Sequence, residues 1–313
     1  WALVAQAVIS AVTTSACLWW LHRWRPAFAF RWASVRKLAG FGGFHLASTL
    51  LESAYTRFYS LLAGRMFGAR SLGYYSNAEN TRQLPASFLA SLVARVALPL
   101  LSRAQHDPML ARRGVQLSIR AMMFAYAPGM LAMAAFADLV IEVLYGRQWL
   151  PAASLLRVLA MAGLLYPLHM INLHALMAQG HARLMFRLEV SKKALGVLLL
   201  VAGARYGLLG LAWSQVAHSI VSLAINSHYS RKLLGYGALA QLRDAAPPIL
   251  AAAVATVAVM PIASALHGAA LVKLPVLLAT GGVLYIALMV MARTAAWSEF
   301  KAMLVQWRAG RSA

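Results

Sequence analysis

Nine stretches of this chain are apolar over about the length a helix needs to cross a lipid bilayer, and no other feature constrains the fold as strongly. A hydrocarbon core about 30 Å thick takes roughly 20 predominantly apolar residues as an α-helix. Helices and closed barrels alone satisfy their backbone hydrogen bonds there. The stretches are 2–22, 42–64, 84–102, 119–143, 152–178, 190–208, 209–228, 247–266 and 271–292. Composition agrees: 61% of residues are hydrophobic and 12% charged, against roughly half and a quarter in a soluble domain. The expectation is an all-α, polytopic membrane protein of about nine transmembrane helices. Segment 84–102 is less apolar and carries Arg95 and Pro99, which suits a helix lining protein or water. The chain starts at Trp1 inside an apolar run, so further helices are expected upstream.

Lysine and arginine mark the two sides. One set of connections holds Arg23, Arg25, Arg31, Arg36 and Lys37, then Arg103, Arg112, Arg113 and Arg120, then Arg183, Arg187, Lys192 and Lys193. It continues with Arg231, Lys232 and Arg243, then Arg293, Lys301, Arg308 and Arg311. The opposite set holds only Arg65, Arg70, Arg82, Arg147, Arg205 and Lys273. Cytoplasmic loops carry the positive excess, so the alternation puts the C-terminus in the cytoplasm. The same pattern accounts for the net charge of +21, which is expected to meet anionic lipid headgroups and not nucleic acid. Segments 22–38 and 297–311 mix aromatic and basic residues at helical spacing, as amphipathic helices on a membrane surface do; packing on the protein itself is the alternative.

Ionisable residues inside such segments are costly and mark interior or hydrated positions. In STLLESAYTRFYSLL, Glu52 and Arg57 lie about 140° apart around a helix, so they need not pair. Glu52 shares a face with Tyr55, Thr56 and Tyr59, suited to a hydrated cavity wall or to packing against other helices. Arg95 is a second deep cation. In YPLHMINLHALMAQGH, Pro167 is expected to interrupt the helix, with His169, Asn172 and His174 clustered after it as candidates for substrate hydroxyls or a proton. Ser214, Gln215, His218 and Asn226 read as polar contacts between helices. Asp138 and Glu142 sit four apart near Tyr145 and Trp149, at the outer end of their segment. The lone Cys17 and only eight acidic residues offer no disulfide and no metal site.

The stretch LLAGRMFGARSLGYYSNAENTRQLP (61–85) resembles the signature of the polysaccharide transporter family, the Wzx-like and colanic-acid-exporter-like members of the MATE-like multidrug/oligosaccharidyl-lipid/polysaccharide superfamily. Gly64, Arg65, Gly68, Leu72, Gly73, Tyr74, Tyr75, Ala78, Leu84 and Pro85 carry the match. ARVALPLLSRAQHD and YGRQWLPAASLLRVLA also resemble that family. The resemblance implies fourteen helices, of which these nine would be the sixth to the fourteenth. Residues 1–22 would then end an N-terminal lobe, with 23–41 as linker, 42–230 as a six-helix C-terminal lobe, 245–292 as two additional helices and 293–313 as a cytoplasmic tail.

The activity it implies is that of a flippase, not an enzyme. Such a protein moves an undecaprenyl-diphosphate-linked oligosaccharide across the bacterial inner membrane for lipopolysaccharide or exopolysaccharide synthesis, alongside other polysaccharide assembly proteins. It needs no cofactor; proton or sodium coupling are the superfamily's open alternatives. Arg57, with Arg95, would meet the diphosphate, Glu52 would orient Arg57 or carry a proton, and Tyr55 and Tyr59 would stack on sugars. Many members hold an acidic residue near position 59, where this chain has Tyr59, so no coupling residue carries over. Other readings are a MATE-like exporter of another cargo, a non-transporting scaffold, and a membrane-embedded polysaccharide polymerase or ligase. The last needs a long outer loop, and the longest here is expected at 65–83.

Overall fold

A computed structural model describes residues 2–21, 32–92, 107–294 and 297–298. Arg95, residues 23–31 of the expected linker 23–41 and residues 295–296 and 299–313 of the expected tail 293–313 lie outside the described residues. Among those described, every regular element is helical. They are α1 (Ala2–Leu21), α2 (Trp32–Leu92), α3 (Pro108–Ala135), α4 (Ala137–Tyr145), α5 (Pro151–Gly163), α6 (Tyr166–Ala178), α7 (Ala182–Ala204), α8 (Gly207–Leu234), α9 (Ala238–Ala265) and α10 (Ala270–Met291). The chain divides into two compact units, Trp1–Gly43 and Phe44–Ala313. The first contains α1, a helix without a charged residue, with Cys17 exposed.

Six helical stretches of the described chain are long and apolar enough to cross a membrane: Val4–Leu21, Met109–Ala135, Pro151–Ala178, Gly207–Leu234, Ala238–Ala265 and Ala270–Met291. The protein is therefore all-α and polytopic, as the sequence implied. Of the other expected segments, 42–64 and 190–208 lie on α2 and α7, which carry ionisable residues and fall outside that set. Two boundaries differ from expectation. The segment 119–143 is broken at Phe136 between α3 and α4. The segment 152–178 breaks at Leu164 and Leu165, with Pro167 in the first turn of α6. A proline without an N–H fits that position, where no intrahelical bond is lost.

The largest correction concerns 65–83, expected as an outer connection. It is helical, and the chain reverses at one residue. Gly68 has φ 82° and ψ 170°, a region that glycine alone enters without strain. The two arms of α2 then fold together. Gly64 lies so close to Leu72 that a Cβ there would meet its side chain at 3.0 Å. Tyr59 and Tyr75 stack with ring centroids 6.1 Å apart, an interval that straight helix would stretch to about 24 Å. Beyond the turn, the ring of Trp149 sits 3.1 Å from where a Cβ on Gly73 would be, and Tyr74 meets that ring edge-on. The glycines of the LLAGRMFGARSLGYY stretch thus make a tight helical hairpin.

Within the second unit, α3 packs on α5, α6 and α9, while α8 packs on α5, α6 and α7. One core gathers Ile119, Met122, Met123, Met130, Leu168 and Ile171. Another joins Tyr59, Ala63, Tyr75 and Ala78 of the hairpin to Leu156, Leu159, Leu200 and Leu211. α10 packs on α9 and α4.

Candidate functional site

The helical repeat that aligns Glu52, Tyr55 and Tyr59 lays them along α7 and α8. Glu52 Oε2 pairs with Lys193 Nζ at 2.5 Å. The Lys193 ammonium also stands 4.4 Å from the centroid of the Tyr55 ring, a favourable position over a π face. The Tyr55 ring is seated between that ammonium, the His218 ring at 5.7 Å and the bare backbone of Gly196, where a Cβ would lie 2.2 Å from the phenol oxygen. Tyr59 is 4% exposed, and its hydroxyl is 3.0 Å from Ser214 Oγ. Thr56 Oγ1 donates to the Glu52 carbonyl. Tyr59 is therefore a packing residue between helices and not an open surface for a sugar. Glu52, whose side chain is 56% exposed, and the exposed Arg57 keep access from outside the bundle. Glu52 takes Lys193 as its partner, and among the described residues no ion pair joins it to Arg57, consistent with the angle between them.

Lys193 is the functional candidate that the sequence hid. Its loop charge count placed it, with Lys192, in a cytoplasmic connection, but both lie inside α7. The signal was local: Glu189 and Lys192 are three apart, a helical ion-pair spacing, and they do pair, both nearly buried. His218 Nε2 lies 3.1 Å from the Lys192 carbonyl oxygen. Behind it, His169 Nε2 is 3.0 Å from Ser219 Oγ, whose hydroxyl donates to the Ala162 carbonyl; His169 Nδ1 is buried with no protein partner among the described residues. Glu52, Lys193, Glu189, Lys192, His218 and His169 thus form one ionisable band along the α2 arm, α6, α7 and α8.

A second, partly buried ion pair lies on the other arm. Arg82, expected in a loop, packs against Gly163 and donates to Glu79 through Nε at 2.9 Å and Nη2 at 2.5 Å. Gln83 donates to the same carboxylate at 2.9 Å. Two charges that satisfy one another this fully can sit within a bundle.

The three residues of the α6 cluster do not converge. Asn172, fully buried, exchanges hydrogen bonds with Gln241 at 2.8 and 2.9 Å and accepts from Ser230 at 2.6 Å. His174 Nδ1 lies 2.7 Å from the Met170 carbonyl oxygen on its own helix. Only His169 joins the ionisable band. The Asn172 set is continued by Gln241 donating to the Tyr236 carbonyl and by Tyr236 donating to Asp244 at 2.7 Å. Asp244 in turn accepts from Arg120 at 2.7 Å. Burial, reinforced by that hydrogen bond to Asp244, pushes the Tyr236 phenol well above its usual value, so it remains a donor. These contacts tie α3, α6, α8 and α9 together. Asp138 and Glu142 each take an arginine, Arg157 at 2.5 Å and Arg147 at 2.8 Å. No group of three metal-ligating side chains occurs among the described residues.

Residues 1–154 match a family described as polysaccharide biosynthesis protein. The teichuronic acid biosynthesis protein TuaB of Bacillus subtilis is 29% identical over 238 residues, 75% of this chain and 48% of that protein. The lipopolysaccharide biosynthesis protein WzxC of Escherichia coli is 24% identical over 233 residues, 71% of this chain and 47% of that protein. The succinoglycan biosynthesis transport protein ExoT of Rhizobium meliloti is 28% identical over 168 residues, 53% of this chain and 34% of that protein. Among solved structures, the lipid II flippase MurJ in an inward closed conformation aligns with a TM-score of 0.66 at 12% identity, over 85% of this chain and 57% of that one. The chain spans about half the length of the relatives it matches. In sequence the chain resembles polysaccharide biosynthesis and transport proteins, and in fold it resembles a flippase.

Proposed function

We propose that this chain is part of a Wzx-like flippase, a transporter that carries an undecaprenyl-diphosphate-linked oligosaccharide across the bacterial inner membrane. The cargo class is the one suggested by the names of its relatives, and the fold is shared with a flippase. The observation that carries the reading is the ionisable band on α2 and α7. A lipid-linked glycan must bring a diphosphate through the bilayer, and cations held at membrane depth replace part of its hydration.

In this reading Arg57, exposed on the α2 arm, receives the diphosphate. Arg95 would join it from outside the described residues. Lys193, held over Tyr55 by Glu52, adds positive potential without a free side chain. Glu52 keeps Lys193 in place, with proton and sodium both open as the coupling ion. Transport would rock two lobes about a site near the midplane, with the C-terminus in the cytoplasm. The tight hairpin at Gly68 stands where the longest outer connection was expected, which supports transport over a polymerase or ligase.

The test uses the full-length gene in its own host. Deletion should trap undecaprenyl-diphosphate-linked glycan in the cytoplasmic leaflet, read by lipid extraction and mass spectrometry of intact and lysed cells. Accumulation of unpolymerised units on the outer face would assign polymerisation or ligation instead.

A further inference from the structure

The first turns of α3 carry a separate cationic site. A cleft of about 410 Å³ opens there, lined by Met109, Arg112, Arg113, Gln116, Leu117 and Arg120, a size typical of small-ligand sites. Arg112 and Arg113 are both exposed, and among the described residues neither is paired with a carboxylate. Arg120 is fixed in place by Asp244, which accepts from its Nε at 3.1 Å and its Nη2 at 2.7 Å. Gly235, with φ 65°, lies close enough to Arg112 that a Cβ would sit 3.5 Å from Nη1, so the chain there leaves that guanidinium room.

The attraction is not that of a bare helix end. Asp107 caps α3, with Oδ1 accepting from the N–H groups of Met109 at 2.9 Å and Leu110 at 3.1 Å. What remains is a pair of guanidinium groups with no carboxylate partner among the described residues, beside a third that is anchored. Guanidinium offers a planar fork of donors matched to phosphate oxygens. Depth narrows the ligand further. Met109–Ala135 is long and apolar enough to cross a membrane, so the cleft at its first turns lies where the span meets the headgroups. Gln116 offers a polar contact for a headgroup hydroxyl, and Leu117 and Met109 offer apolar contact for the start of an acyl chain.

We propose that this cleft binds the phosphate of an anionic phospholipid of the phosphatidylglycerol type. It is a lipid site made of residues distinct from those assigned to the cargo, and it stands whether or not the cargo is a lipid-linked glycan. The shared chemistry is a phosphate anion, which a headgroup or free phosphate in solution would supply.

Native mass spectrometry of the full-length protein, exchanged into neutral detergent with phosphatidylglycerol or phosphatidylcholine, tests it. Each arginine near the surface contributes about five-fold to anionic lipid affinity, so Arg112→Gln with Arg113→Gln should weaken phosphatidylglycerol binding about 25-fold and leave phosphatidylcholine unchanged. The Arg112→Lys, Arg113→Lys pair, which keeps the charge, should lose far less; this separates loss of the site from loss of the fold. Arg205→Gln, at the α7–α8 turn, should behave as wild type. Unchanged phosphatidylglycerol binding in the glutamine pair overturns the proposal. So does equal binding of the zwitterionic lipid. Displacement of bound phosphatidylglycerol by inorganic phosphate at low millimolar concentration would assign the site to a soluble anion and likewise overturn it.

Discussion

Gly203→Ala and Gly282→Ala are the same substitution in two helices, and the structure gives them opposite signs. Near the turn between α7 and α8, the two backbones touch. A Cβ on Gly203 would lie 2.5 Å from the Gly210 carbonyl oxygen and 2.9 Å from Ser214 Cβ. A Cβ on Gly210 would lie 2.3 Å from the Gly203 carbonyl oxygen. The obstacle is backbone, which cannot rotate aside as a long side chain can. Small residues at helix crossings allow this approach in membranes. Alanine in a helix is favoured over glycine by at most about 1 kcal/mol, and forcing an extra methyl into packed structure costs about 1–3 kcal/mol. Gly203→Ala should therefore lose about 1–2 kcal/mol. Its strain would also reach Ser214 and the hydroxyl contact with Tyr59. Gly282, on α10, has nothing within 4 Å of a Cβ, so alanine there should gain up to about 1 kcal/mol. Reversible unfolding in mixed micelles of dodecyl maltoside and SDS, followed by tryptophan fluorescence, measures both. Equal effects, or a stabilised Gly203→Ala protein, would refute the close crossing.

Two further predictions concern the hairpin. Gly68→Ala, forced to hold φ 82°, should cost about 1–2 kcal/mol in the same unfolding assay, and a wild-type midpoint would mean that the reversal does not depend on a left-handed residue. Arg82→Ala leaves the largely buried Glu79 carboxylate without its cation, with Gln83 still donating to it, and should cost about 3 kcal/mol. Replacing both charges, Glu79→Leu with Arg82→Met, should recover most of that loss. If the double variant is as unstable as Arg82→Ala, the pair does more than satisfy itself.

What the sequence revealed follows from what repeats locally. Hydropathy located the apolar stretches because a membrane span must be apolar over its whole length, whatever it packs against. The glycine-rich signature also pointed to the right place, since Gly64, Gly68 and Gly73 are needed for close approach and reversal. Its topology was missed because polar residues such as Asn77, Glu79 and Arg82 look like loop. They are helical, and the charges among them are neutralised by each other, which composition does not reveal. Lys192 and Lys193 were misplaced for the same reason: a charge count assigns cations to loops unless their partners are known, and Glu52 lies far away in sequence. The α6 cluster failed differently. His169, Asn172 and His174 are close in sequence, yet their partners, Ser219, Gln241 and the Met170 carbonyl, lie in different directions around the helix. Tyr59 was correctly placed on a face with Glu52, but only the fold shows that this face meets Ser214 and Tyr75.

In the proposed mechanism an exposed cation on the α2 arm, Arg57, receives an anionic cargo. Its most direct test is Arg57→Ala in the full-length protein, expressed at its normal level in the host. Leaflet-resolved mass spectrometry of undecaprenyl-linked glycan, with the protein's abundance measured in the same membranes, gives the answer. The account predicts normal abundance, glycan trapped on the cytoplasmic side and lost surface polysaccharide. Wild-type surface polysaccharide from the Arg57→Ala protein would contradict it.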